Sequence, residues 1–155
     1  MPRGLPHQTQ FDNDTAVPPR CVVVVDASRM SFVKRHDDGR VDFVSPLPCP
    51  FNYGSVPGTL SGDGDRVDAV LLGPRVRSGS RLEVQVHGVA RFVDAGEPDP
   101  KWICKVGELT RLDRLQVEAF FRVYAIAKRA LNGLRGKSGA THYLGLARCD
   151  GGLSG

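Results

Sequence analysis

The sequence lacks a long hydrophobic run. Its longest strongly apolar stretch is Val22–Val25, whereas a helix that crosses a membrane needs about 20 predominantly apolar residues. The amino terminus carries an arginine but no apolar segment of the kind that secretory signals contain. We therefore expect a cytoplasmic protein with no membrane partner.

Closely spaced cysteines are also missing. The chain has four cysteines and no C-x-x-C pair, which excludes the ligand spacing of common zinc sites. Four scattered thiols in a chain without an export signal are expected to be reduced and partly buried rather than joined in a disulfide scaffold. These residues are Cys21, Cys49, Cys104 and Cys149.

A strong excess of one charge is likewise absent. Lysine and arginine number 21 against 17 acidic residues, which gives a formal net charge of +4. Dedicated nucleic-acid binders carry a clustered basic stripe, and those that bind single strands interleave it with aromatic residues. Neither pattern is seen here, so we expect no nucleic-acid partner, while an anionic small ligand remains allowed.

What the sequence does contain is enough apolar material for one core. With 155 residues, of which 41% are hydrophobic, one domain is the default. Residues 1–20 are proline-rich with little apolar periodicity and predict a flexible N-terminal arm. Residues 21–155 are predicted to form a single domain.

The middle of the chain has the pattern of a β protein. Short apolar or alternating runs are separated by glycine and proline turns, which predicts a closed or nearly closed barrel in a mainly β, α+β fold. The predicted strands are Val22–Val25, Arg40–Val44, Val67–Leu72, Arg81–Asp94 and Trp102–Val106.

One long helix follows the strands. Thr110 and Asp113 form a near capping box, and Asn132-Gly133 is a typical stop. An apolar stripe between them is expected to dock on the barrel, and the glycine-rich tail beyond Gly133 shows only weak structural patterning. The stripe consists of Leu115, Val117, Phe120, Phe121, Tyr124, Ala127 and Leu131.

Two acidic segments stand at predicted strand ends. Asp63–Asp68 and Asp94–Lys101 each hold three carboxylates. One interpretation is a pair of solvated turns in which aspartate merely suits the backbone. The other is that the segments converge on Mg²⁺ or Mn²⁺, which prefer oxygen ligands and orient phosphate oxygens.

The order and spacing of four motifs resemble the soluble family I inorganic pyrophosphatases. The resemblance runs from about Val22 to Tyr124, with Arg66 standing where the family has a proline. The motifs are Pro50–Gly54, Pro57–Thr59, Asp63–Asp68 and Asp94–Lys101.

This resemblance implies a five-stranded, OB-like closed barrel with one long C-terminal helix packed against it. It also implies an enzyme, an inorganic diphosphatase that hydrolyses pyrophosphate to two phosphates with several Mg²⁺ ions, or with Mn²⁺. Because bacterial members of the family form hexamers, a homo-oligomer is implied as well.

The resemblance also assigns roles to individual residues. Asp65 matches the carboxylate that helps to deprotonate the attacking water. Tyr53, Lys101 and Tyr124 match groups that hold phosphate oxygens. The metal ligands that it implies are Asp63, Asp68, Asp94 and Asp99.

Several positions depart from the family pattern, and most of them fall among the phosphate-binding groups. Non-ionic side chains replace lysines and glutamates, and a thiol replaces a tyrosine. Val41 or a close neighbour replaces an arginine of the family, although Arg40 is adjacent. The other departures are Val23, Ser31, Val33, Cys49 and Ala125.

Each lost cation removes a charge-assisted hydrogen bond worth roughly 1.5–3 kcal/mol. An alternative function is therefore a catalytically impaired relative that binds metal or phosphate, or that regulates an active paralogue. A third is hydrolysis of a larger phosphoanhydride. Lys128, Arg66 and Lys34-Arg35 are candidate replacement cations. Each also has a simpler structural interpretation: Lys128 as an exposed helix cation, Arg66 as a partner of Asp65 or Glu97, and Lys34-Arg35 as an exposed hairpin.

Overall fold

The computed structural model describes residues 17–30, 33–35, 41–44, 49–60 and 65–148. Residues 1–16 of the predicted arm and Asp63 lie outside this part of the chain. The elements, in chain order, are β1 (Arg20–Ala27), β2 (Val33–Arg35), β3 (Val41–Val44), β4 (Asn52–Val56), β5 (Val67–Leu71), β6 (Arg81–Asp94), β7 (Glu97–Pro98), β8 (Lys101–Lys105), α1 (Arg111–Leu134) and β9 (His142–Arg148).

Five strands close into a barrel. They follow the order β1-β4-β5-β8-β6, and β6 pairs back onto β1. The β5–β8 pair is parallel, and the other pairs in this ring are antiparallel. The predicted mainly β fold, a five-stranded closed barrel with one long C-terminal helix, is confirmed.

The tail beyond α1 is more ordered than its composition suggests. We predicted weak structure after Gly133, but β9 forms there and pairs with β6 from Gly88 to Val93. At 14 residues, β6 is long enough to carry β1, β8, β7 and β9 along its edges. The backbone of β6 therefore supplies hydrogen-bond partners to a segment whose own pattern is weak.

Two apolar layers follow from the alternation of side chains along the strands. On β5, Val67, Ala69 and Leu71 point into the barrel, and Val70 points outward toward α1. Asp68 shares the outward face with Val70, since side chains alternate with a period of two. The polar site described below thus begins on the helix side of the barrel wall.

The helix begins where the sequence predicts. The Thr110 hydroxyl accepts a hydrogen bond from the Asp113 amide at 3.0 Å, and the Asp113 carboxylate accepts one from the Thr110 amide at 2.9 Å. The helix ends at Leu134, just past the predicted stop. Among the residues described, no helix has the length and apolar character needed to span a membrane.

The buried face of α1 differs from the predicted stripe. Leu115 was predicted to dock on the barrel, but it is 64% exposed. It lies two residues before Val117, which is about 200° around the helix axis and therefore on the far side. The face that is buried consists of Val117, Phe121, Ala125, Lys128 and Asn132.

Candidate active site

The two acidic segments meet at one lysine. Lys101 opens β8 and stands opposite Asp68 in the parallel β5–β8 register. Its Nζ donates to Asp68 Oδ2 at 2.7 Å and to Asp99 Oδ2 at 2.6 Å. Because Lys101 is only 5% exposed, its ammonium is held between the two carboxylates rather than in solvent.

This lysine stays charged. Burial by itself would lower the pKa of Lys101, but Asp68 and Asp99 outweigh burial and raise that pKa well above its ordinary value. The ammonium is therefore present throughout the physiological pH range. It forms a fixed positive charge at the outer wall of the barrel.

Two tyrosines interact electrostatically with this ammonium. Tyr53 on β4 lies with its ring centroid 5.8 Å from Lys101 Nζ, and Tyr124 comes from α1. Burial raises the pKa of Tyr124 to about 12. Burial, followed by the charge of Asp68, raises the pKa of Tyr53 well above its usual range. Both phenols are consequently neutral, and each is able to donate its proton in a hydrogen bond.

Asp94 lies at the end of β6 and contacts the helix. Its Oδ1 accepts a hydrogen bond from Asn132 Nδ2 at 2.7 Å, and its Oδ2 is 3.6 Å from Lys128 Nζ. Lys128 is 7% exposed, so its interpretation as an exposed helix cation is wrong. Burial lowers the pKa of Lys128, and Asp94 acts in the opposite direction.

Two further predicted residues lie at the start of β5. Asp65 and Arg66 are exposed and immediately precede β5, and Asp63 is outside the described residues. The three described cysteines, Cys21, Cys49 and Cys104, are reduced, and Cys49 and Cys104 are buried.

Three of the departures from the family pattern are core positions here. Val23 lies in the barrel interior, while Cys49 and Ala125 lie in the layer between barrel and helix. Burial raises the pKa of the Cys49 thiol to about 11, so it remains protonated. None of these three side chains can therefore supply an ionic contact to phosphate.

Sequence reasoning missed Asn132 and Thr141 as parts of the site. Asn132 was interpreted as a helix stop, but it is 4% exposed and bonded to Asp94. The spacing of Val117, Phe121, Ala125, Lys128 and Asn132 continues one buried stripe into polar residues. That polar continuation of an apolar stripe is the pattern that indicates such a site.

The carboxylates fit a divalent cation in part. Asp68 and Asp99 supply hard oxygen donors on a shared, partly exposed face, with side chains 18% and 24% accessible. Over the described ranges, no three His, Cys, Asp or Glu side chains are grouped to hold a metal ion. Within the described residues, the donor set thus fits such an ion through this pair of carboxylates.

Comparison with known proteins identifies the family that this chain resembles. The family model "Inorganic pyrophosphatase" matches residues 2–144. The inorganic pyrophosphatase of Haemophilus influenzae is 46% identical over 56 residues, which are 36% of this chain and 32% of that protein. The chain thus spans about a third of the length of that relative. The Streptomyces coelicolor inorganic pyrophosphatase is 29% identical over 114 residues, or 63% of this chain and 70% of that protein.

Solved structures resemble the whole fold. An inorganic pyrophosphatase from Thermus thermophilus superposes with a TM-score of 0.68 at 28% identity, covering 86% of this chain and 85% of that one. One from Neisseria gonorrhoeae gives a TM-score of 0.68 at 26% identity, with 84% and 83% covered. Together with the family model that covers most of its length, these matches show that the chain belongs to the inorganic pyrophosphatase family.

Proposed function

We propose that this protein hydrolyses inorganic pyrophosphate to two phosphates with the help of divalent cations, of which Mg²⁺ is the expected one. The observation that carries the proposal is the convergence of Asp68 and Asp99 on the buried ammonium of Lys101. This convergence supports the proposal, because two carboxylates of the kind that binds divalent cations and an ammonium of the kind that binds phosphate share one outer face of the barrel. Pyrophosphate needs both kinds of group.

In this proposal, three side chains hold the phosphate oxygens. Lys101 donates charge-assisted hydrogen bonds, which are about twice as strong as neutral ones. Tyr53 and Tyr124 are neutral phenols, and each donates one hydrogen bond. Because all three are largely buried, they are positioned before the substrate arrives and lose little conformational freedom on binding.

Asp65 is proposed to accept the proton of the attacking water. It is exposed at the entrance to β5, three residues before Asp68, so its carboxylate is accessible to solvent. Asp63, Asp68, Asp94 and Asp99 are the residues that the resemblance assigns to the cations. When bound, divalent ions supply positive charge that neutralises the phosphate oxygens and lowers the pKa of a water molecule.

The test is phosphate release from pyrophosphate with Mg²⁺ as cofactor. We expect Asp99→Asn to lower kcat/KM by at least ~100-fold, since it removes a group that both holds Lys101 and faces the cations. Asp113→Asn is the matched control. Asp113 also accepts a hydrogen bond from a lysine, at 2.6 Å, but this lysine is Lys105 at the opposite end of β8 from Lys101. That variant should retain wild-type activity.

The same assay distinguishes the alternative functions. Absence of phosphate release with Mg²⁺, Mn²⁺ and Zn²⁺ would refute the proposal. If calorimetry then still detected metal binding, the catalytically impaired relative would be favoured. Faster release from a nucleotide or polyphosphate than from pyrophosphate would favour the larger phosphoanhydride.

We also propose that the protein is a cytoplasmic homo-oligomer whose residues 21–155 form a single domain. The family resemblance supports this assembly. It is also supported by apolar residues on the outer face of α1, where Leu115 is 64%, Val123 55% and Ile126 64% exposed. Light scattering of the purified protein tests it, and a monomer at micromolar concentration would contradict it.

A further inference from the structure

Both oxygens of Asp94 face donors on one side of α1. Oδ1 accepts a hydrogen bond from Asn132 Nδ2 at 2.7 Å, and Oδ2 lies 3.6 Å from Lys128 Nζ. Lys128 and Asn132 are four residues apart, so they share a helix face. The carboxylate is thus held between an amide and an ammonium that the same helix supplies.

The partners of Asp94 are buried, while the side chain of Asp94 itself is 23% accessible. Lys128 is 7% exposed, Asn132 is 4% exposed and Thr141 is 2% exposed. Asn132 Nδ2 also donates to Thr141 Oγ1 at 3.0 Å, and Thr141 Oγ1 accepts a second hydrogen bond from the Ala95 amide at 3.0 Å. The side chain of Asp94 and the backbone that follows it are therefore fixed to the same group of residues.

The turn after Asp94 is fastened to the segment before β9. The Gly96 amide donates to the Ala140 carbonyl at 2.7 Å. A Cβ on Gly139 would lie 2.4 Å from the Ala95 carbonyl oxygen, so only glycine permits this approach. Asp94 is consequently held at the helix without help from a ligand.

We propose that the ammonium of Lys128 takes the place of a divalent cation at Asp94, so that cation binding is confined to the side of the site formed by Asp68 and Asp99. This inference rests on the proposed function, and it changes one of the ligands that the resemblance assigns. A cation that bound Asp94 would either meet the like charge of the Lys128 ammonium or separate this buried ammonium from its carboxylate, and both are unfavourable.

The position of Lys128 also accounts for a departure from the family pattern. The resemblance expects a lysine at residue 125, but Ala125 is 3% exposed and packs in the apolar layer between barrel and helix. Lys128 lies three residues further along the same buried face. The helix therefore keeps one cation near the site, and that cation is directed at Asp94.

The test counts bound Mn²⁺ ions by calorimetry in the wild-type protein and four variants. We expect Asp94→Asn to bind as many ions per chain as the wild type. Lys128→Met should bind one additional ion, because it frees the carboxylate of Asp94. The double variant Lys128→Met/Asp94→Asn should lose that additional ion. Lys105→Met, which removes a lysine far from Asp94, is the matched control and should not change the number.

Loss of an ion in Asp94→Asn would overturn the inference, and so would a folded Lys128→Met that gains none. Circular dichroism establishes folding. If Lys128→Met does not fold, the ion count of Asp94→Asn against the wild type still decides. Phosphate release is measured separately, so a protein that binds Mn²⁺ as described but releases no phosphate would refute the proposed function and not this ion pair.

Discussion

Lys101→Met tests the physical basis of the site. The substitution keeps the length of the side chain and removes the ammonium that Asp68 and Asp99 share at 2.7 and 2.6 Å. Removing one partner from a buried ionic group costs about 3–5 kcal/mol, and Lys101 is 5% exposed. We therefore expect the free energy of unfolding to fall by about that amount in EDTA.

Divalent cations should restore part of this loss. With the ammonium gone, the two carboxylates repel each other, and a Mn²⁺ ion supplies the missing positive charge. Urea denaturation with EDTA and with Mn²⁺ measures both values. Activity is expected to fall as well, by about 10- to 150-fold in kcat/KM, which is the worth of one hydrogen bond to a charged group, about 1.5–3 kcal/mol.

The matched control is Lys105→Met at the other end of β8. Lys105 also donates to a carboxylate at 2.6 Å, but its side chain is 22% exposed and it contacts Asp113 outside the site. Loss of this ion pair should lower the free energy of unfolding by at most about 1 kcal/mol, as for ion pairs near the surface. If the two variants were equally stable, or if Mn²⁺ did not affect Lys101→Met, the reasoning would be refuted.

Three further predictions concern the scaffold. A Cβ on Gly54 would lie 2.1 Å from the Val24 carbonyl oxygen, so Gly54→Ala should destabilise the fold by more than about 3 kcal/mol in urea denaturation. Gly133→Ala, which meets nothing within 4 Å, is its control and should change stability by at most about 1 kcal/mol. Thr110→Ala should lower the free energy of unfolding by about 1 kcal/mol through loss of the N-cap, whereas Thr110→Ser keeps the capping hydroxyl and should retain most of that stability. Equal thermal stability of the two variants would contradict this. Burial acts to raise the pKa of Asp113, but hydrogen bonds to Lys105 and Thr110 outweigh it and lower that pKa. A lowered folded-state pKa contributes stability above the unfolded-state value of about 4 that is lost as the pH falls through the folded-state value. The stability difference between wild type and Asp113→Asn should therefore shrink in acid, and a constant difference down to the acid-unfolding limit would exclude this cause.

Local interactions explain why several elements were predictable. The extent of β6 follows from its alternation, and the start of α1 follows from Thr110 and Asp113, whose side chains bond to backbone only three residues away. The prediction for Leu115 failed because a helix with apolar residues on more than one face does not specify which face is buried. The β9 strand was missed because β6, far away in sequence, supplies its pairing.

The sequence by itself predicted the strands β1, β3, β5, β6 and β8, the helix cap, the acidic motifs and the family resemblance, since each depends on residues close together along the chain. Only the tertiary structure decided which charges meet. Lys101 and Asp68 are 33 residues apart, and Asn132 and Asp94 are 38 apart. Their contacts exist because the barrel closes and α1 lies against its outer wall, and the burial of Lys128 beside Asp94 depends on the same packing.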